Sequence, residues 1–323
     1  MTTRSKADPR RALHVICGAG PVALAVARSL FARGERVRIV RRTGSSNALA
    51  TGVSMHCADL RDADVAAHAF AGASVVYHCA APPYHRWPVD FPPLQRGIVT
   101  GAIRNDVTLV AIDNLYGYGT AGRLTEDTPQ VATSRKGAVR AELAAELLDL
   151  SARGVLNASI ARASDCFGPG VRLSAVGERF WPRVLAGKAC HWFGDPDAAH
   201  TFTYVDDVAS TMVTLGATPS AWGRAWHVPS PPPVSARRFA AIAAEAEGVD
   251  APEFATVSPT AQKLIGLLVP PVRELGEVRY LFDSPLHMDD GAFRARFGGD
   301  HTPIRAAIDA TLAWWRARGT RDV

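Results

Sequence analysis

An α/β fold on a doubly wound parallel sheet, with a smaller C-terminal lobe, is predicted by three observations. Strand-like and helix-like patterns alternate from residue 13 to about 161. The first unit, LHVICGAGPVALAVARSLFARGERVRIVRR at 13–42, reads as strand, glycine turn, amphipathic helix and second strand. After residue 168 the alternation yields to short segments punctuated by GPG, PRV, GDPD and the PSPPPV run at 229–234.

Each element follows from its pattern. LHVIC is a short apolar strand at 13–17, and Val22, Val26 and Leu30 recur at helical spacing within 21–33. Further strands are predicted at 36–40, 53–57, 73–79, 107–112 and 156–161, with helices at 62–70, 92–104 and 137–153. The last helix has an apolar stripe through Val139, Leu143, Leu147 and Leu150, with Arg140 off the stripe. The expected organisation is a disordered N-terminus at 1–11, then a nucleotide-binding domain at 12–168 with later sheet elements from about 202–228. The second lobe takes 169–201 and 229–323.

The glycine turn runs Gly18-Ala-Gly20-Pro21-Val22-Ala23. Gly18 permits the tight bend, Gly20 lets backbone approach a pyrophosphate, and Ala23 keeps helix and sheet close. A phosphate here meets the N–H groups and positive end of the helix. This is the arrangement of a Rossmann-type dinucleotide site, with Gly18, Gly20, Pro21 and Val22 as its contacts. An NAD site usually ends the second strand with an acid, whereas this strand ends in Arg41 and Arg42. Guanidinium groups grip a 2′-phosphate through paired charge-assisted bonds, so NADP is expected ahead of NAD. A solvated basic strand end is the competing reading.

Composition excludes several classes. The chain has 323 residues, 47% of them hydrophobic, and a formal charge of +5 that is dispersed along its length. With no basic run interleaved with aromatics, a nucleic-acid partner is not expected. Cys17, Cys57, Cys79, Cys166 and Cys190 stand singly, so neither disulfides nor a metal site are expected. The N-terminal MTTRSKADPRR has no apolar core and no run of 18 apolar residues occurs, so a cytoplasmic protein without membrane attachment is expected.

Several segments in order resemble the extended short-chain dehydrogenase/reductases, the NAD(P)-dependent epimerase/dehydratase family. They are the turn at 18–23, CADLRD with Asp59 and Leu60, VVYHCAAP at 75–82, YG at 118–119, LTEDTP at 124–129, RASDCFGPG at 162–170, FTYVDDVA at 202–209 and DDGAFRARFGGDHTP near the end. The resemblance implies a Rossmann-type domain with a substrate lobe. It also implies that Asp59 and Leu60 meet the adenine, and that Cys79, Ala80 and Ala81 lie along the cofactor. Arg162 and Asp165 are implied at the nicotinamide end, as cofactor and substrate contacts respectively, with structural hydrogen bonding as the competing role.

The chain departs from the family at its chemical centre. The family uses a Ser or Thr after the fifth strand and a Tyr-x-x-x-Lys on the next helix. Here AIDNLYGYG puts Asn114 at the Ser position, and no Tyr-x-x-x-Lys follows. Counting from Glu126 places Lys136 at the Tyr position and Arg140 at the Lys position; the other register gives Ser134 and Ala138. Asn114 can hydrogen-bond a substrate oxygen, and Lys136 beside Arg140 can shuttle a proton. Tyr116, expected on the same side of the strand end as Asn114, is the alternative acid. A pocket wall for Tyr116 and a solvated charge for Lys136 compete with these roles.

PPYHRWPVDFPP at 82–93 is expected as a long aromatic loop at the C-terminal end of the sheet, which makes Tyr84, His85, Arg86 and Trp87 candidate substrate contacts. His78 is expected in the core, and Asp206 and Asp207 as caps of a helix. Trp181, Trp192, Trp222 and Trp226 suggest an apolar substrate lobe, with ordinary packing as the alternative. Three functions follow: a redox enzyme or epimerase on a small-molecule carbonyl or carbinol with a remodelled proton relay, in secondary metabolism as one setting; a non-redox elimination, isomerisation or cyclisation with structural NADP; or an NmrA-like cofactor sensor. The resemblance also points to a homodimer through the helices at 92–104 and 137–153, with the sequence leaving the oligomeric state open.

Overall fold

A computed structural model of the chain describes residues 11–43, 53–268 and 274–318. The expected disorder at 1–11 falls almost wholly outside them. The chain forms two compact units: residues up to Asp113 with 142–162 and 208–226, and residues 114–141, 163–207 and from 227 onward.

In the first unit, β1 (Leu13–Cys17) leads through α1 (Pro21–Ala32) to β2 (Arg36–Arg41). Then come β3 (Val53–Cys57), α2 (Ala63–Phe70), β4 (Ala73–His78), α3 (Trp87–Arg104) and β5 (Thr108–Asp113). β6 (Gly122–Leu124) belongs to the second unit, α4 (Arg135–Ala152) runs through both segments, and β7 (Ala158–Arg162) belongs to the first. β3, β2, β1, β4, β5 and β7 pair in parallel, in that spatial order. The order reverses between β1 and β4, the switch point outside which open α/β sheets bind ligands. Val15, Ile16, Ile39, Val76 and Leu109 have no exposed surface, so the sheet is covered on both faces, as a parallel sheet requires.

The second unit carries β8 (Asp165–Phe167), α5 (Trp181–Leu185), β9 (Cys190–Phe193), β10 (Ala199–His200) and β11 (Phe202–Tyr204). α6 (Val205–Ala217) and β12 (Ala225–His227) lead back toward the first unit, where β12 joins the large sheet at the β7 edge as its seventh strand. β13 (Val234–Ser235), α7 (Ala236–Glu247), β14 (Phe254–Val257), α8 (Pro259–Leu268), β15 (Leu286–Met288), α9 (Gly291–Phe297) and α10 (Ile304–Arg318) complete the chain. The order β13-β10-β15-β6 makes a four-stranded sheet, and β11–β8 and β14–β9 are separate parallel pairs. The core of this unit is aromatic: Phe239 packs on Phe202, Phe167 and Trp181 with ring centroids 4.5, 5.0 and 5.6 Å away.

Several expectations are corrected here. Residues 82–93 are not a long loop: Tyr84–Arg86 form one 3₁₀ turn and α3 starts at Trp87 rather than 92. Pro88 occupies the first turn, where its missing N–H costs nothing, and the Arg86–Asp90 ion pair and Trp87–Phe91 ring contact bind that turn at i,i+4 spacing. With Phe91 buried, packing overrides the helix-breaking tendency of Pro92 and Pro93. Of the later sheet elements expected near 202–228, only β12 joins the large sheet. Trp222 and Trp226 belong to the first unit rather than to a second lobe, and Trp181 and Trp192 are buried in the second unit, where ordinary packing accounts for them. His78 is buried beside Phe91, as expected. Asp207 lies within the first turn of α6, and its carboxylate accepts from Thr302 N (2.9 Å) and Oγ1 (2.7 Å) instead of capping the helix. No helix among the described residues is long and apolar enough to cross a membrane, and no cluster among them could hold a metal ion.

Candidate active site

The glycine turn has the geometry of a phosphate cradle. Gly18 has φ +102°, and a Cβ there would sit 3.0 Å from the Ala80 backbone, so the residue must be glycine for two reasons. Its N–H donates to Val40 O at 2.7 Å, and Cys79 N–H donates to Cys17 O at 3.0 Å, which ties the ends of β1, β2 and β4 into one ledge. Gly20 is the N-cap residue of α1, in extended backbone, and a Cβ built on it meets nothing within 4 Å. Gly20 offers no side chain to cap α1, and no acid stands in its first turn. The positive end of the helix is therefore left without a capping carboxylate or hydroxyl from these residues, the environment an anion prefers. Ala23 is fully buried, which keeps the helix close to the sheet. The residues present fit a dinucleotide pyrophosphate on this observation alone.

Around that cradle the other coenzyme candidates of the first unit take distinct positions. Arg41 ends β2, partly buried, and Arg42 follows it exposed. Ala58 N–H bonds Arg41 O at 3.0 Å, which continues the β2–β3 register so that Arg42 stands opposite Ala58, one residue before Asp59. The Asp59 carboxylate accepts from Arg61 Nε at 2.9 Å, and the Arg61 guanidinium holds it below the ordinary carboxylate range. Leu60 has its side chain in the core, so only its backbone is available for a ligand. Cys79 and Ala80 are partly exposed beyond β4, and Ala81 is exposed. Tyr84 and Trp87 pack edge to face at 5.0 Å, with Trp87 Nε1 donating to Pro82 O at 3.1 Å, while His85 points to solvent.

Arg162 is buried at the end of β7, in register with Asp113 at the end of β5, and its Nε donates to Asp113 Oδ2 at 3.1 Å. This pair of opposite charges sits at the C-terminal edge of the sheet. Asp113 was not singled out from sequence, although an acid closing the apolar strand TLVAID opposite an arginine closing ASIAR is the signal that could have found it.

In the second unit, Asn114 and Tyr116 follow β5 directly. Asn114 Oδ1 accepts the Tyr116 N–H at 3.1 Å, an Asx turn that starts the 3₁₀ turn Tyr116–Tyr118. The strand ends at Asp113, so strand alternation does not set the directions of these two side chains, a correction to the expectation above. What Asn114 can offer a substrate oxygen is its Nδ2 donor. Lys136 and Arg140 lie on the first turns of α4, and both are buried. Lys136 is thus no solvated charge: its ammonium is ion-paired with Glu274 and lies 3.8 Å from Glu277. Asp165 accepts from His200 at 2.9 Å, and His200 stacks on Phe282 with centroids 5.0 Å apart. Glu274, Glu277 and His200 were not anticipated, since no local pattern marks partners so distant in sequence.

The comparisons agree with this fold. The chain is 26% identical over 252 residues to the 3beta-hydroxysteroid-dehydrogenase/decarboxylase isoform 2 of Arabidopsis thaliana, covering 72% of this chain and only 43% of that relative's length. Among solved structures it is similar to the UDP-glucose 4-epimerase of Thermotoga maritima, crystallised with UDP-glucose (TM-score 0.78, 16% identity, 95% of this chain and 99% of that one). It is also similar to the Bordetella bronchiseptica enzyme WbmH in complex with NAD+ (0.74, 19%, 96% and 100%). A third is DesIV, the dTDP-glucose 4,6-dehydratase of Streptomyces venezuelae with NAD and TYD bound (0.76, 17%, 94% and 97%). At these identities the structures speak for the fold. The profile that matches residues 14–228 is that of the NAD dependent epimerase/dehydratase family, and to that family this chain belongs.

Proposed function

We propose that the chain is an NADP-dependent enzyme acting on a carbonyl or carbinol carbon of a small molecule, with a remodelled proton relay. The observation that carries this reading is the uncapped N-terminus of α1 with open space at Gly20. Gly18, Gly20, Pro21 and Val22 would hold the pyrophosphate, Arg41 and Arg42 the 2′-phosphate, Asp59 and the Leu60 backbone the adenine. Cys79, Ala80, Ala81 and Arg162 would line the remainder. When bound, the coenzyme accepts or returns a hydride at the substrate carbon.

The chain's own residues must then hold and move one proton. Tyr116 is the favoured donor, because a phenol can give up and recover a proton whereas a carboxamide cannot. Asn114 orients the substrate oxygen through Nδ2. Lys136 and Arg140 supply fixed positive charge that favours a developing alkoxide, with Lys136 held by Glu274. Tyr84, His85, Trp87 and Asp165 are the proposed substrate contacts.

One observation favours a second reading. The Lys136 ammonium is already matched by a carboxylate, so the residue at the phenol's position is held as an ion pair. A non-redox elimination or isomerisation with fixed NADP fits that arrangement. Calorimetric titration with NADPH and NADH tests the coenzyme reading, and lack of affinity for both would overturn it. Absorbance of the reduced nicotinamide during turnover separates the two chemistries: a change that tracks product supports the first, and a constant signal the second.

A further inference from the structure

At the adenosine end of the cradle the mechanism leaves one cation unused, Arg61, whose guanidinium is paired with Asp59. Resting on the coenzyme reading above, we propose that Arg61 is a specificity residue for the 2′-phosphate of NADP, with Asp59 as its resting partner. The phosphate takes the guanidinium from the carboxylate.

Three features of the structure carry this. First, the β2–β3 register, continued by the Ala58 N–H to Arg41 O bond, sets Arg42 opposite Ala58, one residue before Asp59, and Arg61 reaches back to Asp59 with Nε 2.9 and 3.1 Å from its two oxygens. Arg42 and Arg61 thus belong to the same neighbouring strand ends, where the ribose of an adenosine would follow the second strand. Second, the Arg61 backbone is fixed. Its N–H donates to Asp59 Oδ1 at 3.1 Å, and Gly97 of α3 lies so close that an added Cβ would be 2.1 Å from Leu60 O and 2.9 Å from Arg61 C. The side chain itself is half exposed, so it can exchange partners without unfolding anything.

Third, the neighbouring acids are matched. Asp90 is held bidentately by Arg86 at 2.8 Å, Asp62 caps α2 and Asp64 pairs with Arg104. Arg61 lowers the pKa of Asp59 and Arg86 that of Asp90 through their hydrogen bonds, with Arg42 adding to both. A phosphate dianion is a stronger partner for a guanidinium fork than a single carboxylate, whereas the uncharged 2′-hydroxyl of NAD cannot displace Asp59.

The test uses the full chain with four probes: NADPH, NADH, adenosine 2′,5′-bisphosphate and adenosine 5′-monophosphate, each titrated calorimetrically. Arg61→Ala is expected to weaken NADPH and the bisphosphate about tenfold to a hundredfold, and to leave NADH and the monophosphate within about twofold. Arg61→Lys should lie between, because it keeps charge and loses the fork. Asp59→Asn is expected to raise the NADPH-to-NADH affinity ratio. A wild-type ratio near one, a ratio insensitive to Arg61→Ala, or a ratio lowered by Asp59→Asn would overturn the proposal while leaving coenzyme binding intact. No binding of any probe would overturn the coenzyme reading and this with it.

Discussion

Lys136 and Glu274, 138 residues apart in sequence, form an ion pair in the second unit, with only 1% of the lysine exposed. Two desolvated charges are costly singly and tolerable together. Lys136→Met alone is expected to lose about 3 kcal/mol, because Glu274 loses its buried cation and the exposed Arg135, 3.6 Å away, replaces it only in part. Glu274→Gln should lose a similar amount. Glu277 lies 3.8 Å from the Lys136 ammonium but is held more closely by Arg135 at 2.9 Å, so it substitutes only in part. The double variant Lys136→Met/Glu274→Leu should recover most of the loss, and urea unfolding of the three variants measures the coupling. Additive losses would mean that the two side chains do not depend on each other.

The two glycines of the cradle should separate folding from binding. Gly20→Ala places a methyl in open space at φ −75°, a conformation any residue adopts, so stability should stay within about 0.5 kcal/mol of wild type. The same methyl occupies the approach of the pyrophosphate, and coenzyme affinity should fall at least tenfold on the order of one lost hydrogen-bonded contact. Gly18→Ala meets both a positive φ and the Ala80 backbone, so it should cost on the order of 1–3 kcal/mol before any ligand is added. Thermal unfolding with and without NADPH reads both effects.

Asp207 gives the fold a definite pH dependence. Burial raises its pKa above the ordinary 3.8, outweighing the lowering effect of the bonds from Thr302. A carboxyl raised in the folded state binds its proton more tightly there than in the unfolded chain. Its contribution is therefore fullest below 3.8 and declines as pH rises through the raised folded value. Asp207→Asn removes that titration and can still meet Thr302 through its amide. The stability of wild type relative to Asp207→Asn should fall as pH increases from about 3 to 7. A difference that grows with pH would reverse the sign and refute the assignment.

Sequence made the first unit legible because each of its elements is local. The turn at 18–23, the apolar strands and the helix stripe at Val22, Val26 and Leu30 are set by neighbours within a few residues. The helix start at Trp87 was hidden because Pro92 and Pro93 inside it argue against a helix by propensity, and only the burial of Phe91 and the packing of α3 decide otherwise. The polar centre was half visible. Aligning the resemblance singles out Asn114, Lys136 and Arg140, with Tyr116 added from its place after Asn114, but partners such as Glu274 for Lys136, Asp113 for Arg162 and His200 for Asp165 are announced by no periodicity. Ion pairs across a hundred residues are properties of packing, and composition carries no trace of them.

Tyr118 offers the sharpest check on which phenol works. Its hydroxyl lies 2.7 Å from His227 Nε2, the two rings meet edge to face at 5.7 Å, and both residues are buried. His227 Nδ1 lies 2.8 Å from the Asp289 carbonyl, which can only accept, so Nδ1 carries the proton and Nε2 accepts from the tyrosine. The His227 N–H donates to Glu126 at 3.0 Å, which makes the pair one knot tying three distant segments. Tyr118 thus has a structural role, and its proton is directed at a histidine, not at a substrate. Tyr118→Phe keeps the ring contact and removes the donor, for an expected loss of about 1–3 kcal/mol and a fall of roughly 2–10 °C in Tm. Turnover per folded molecule should be retained, whereas Tyr116→Phe should lower kcat about a hundredfold or more with little change in stability. The opposite pairing, activity lost in Tyr118→Phe at unchanged Tm, would move the proton donor two residues along the chain.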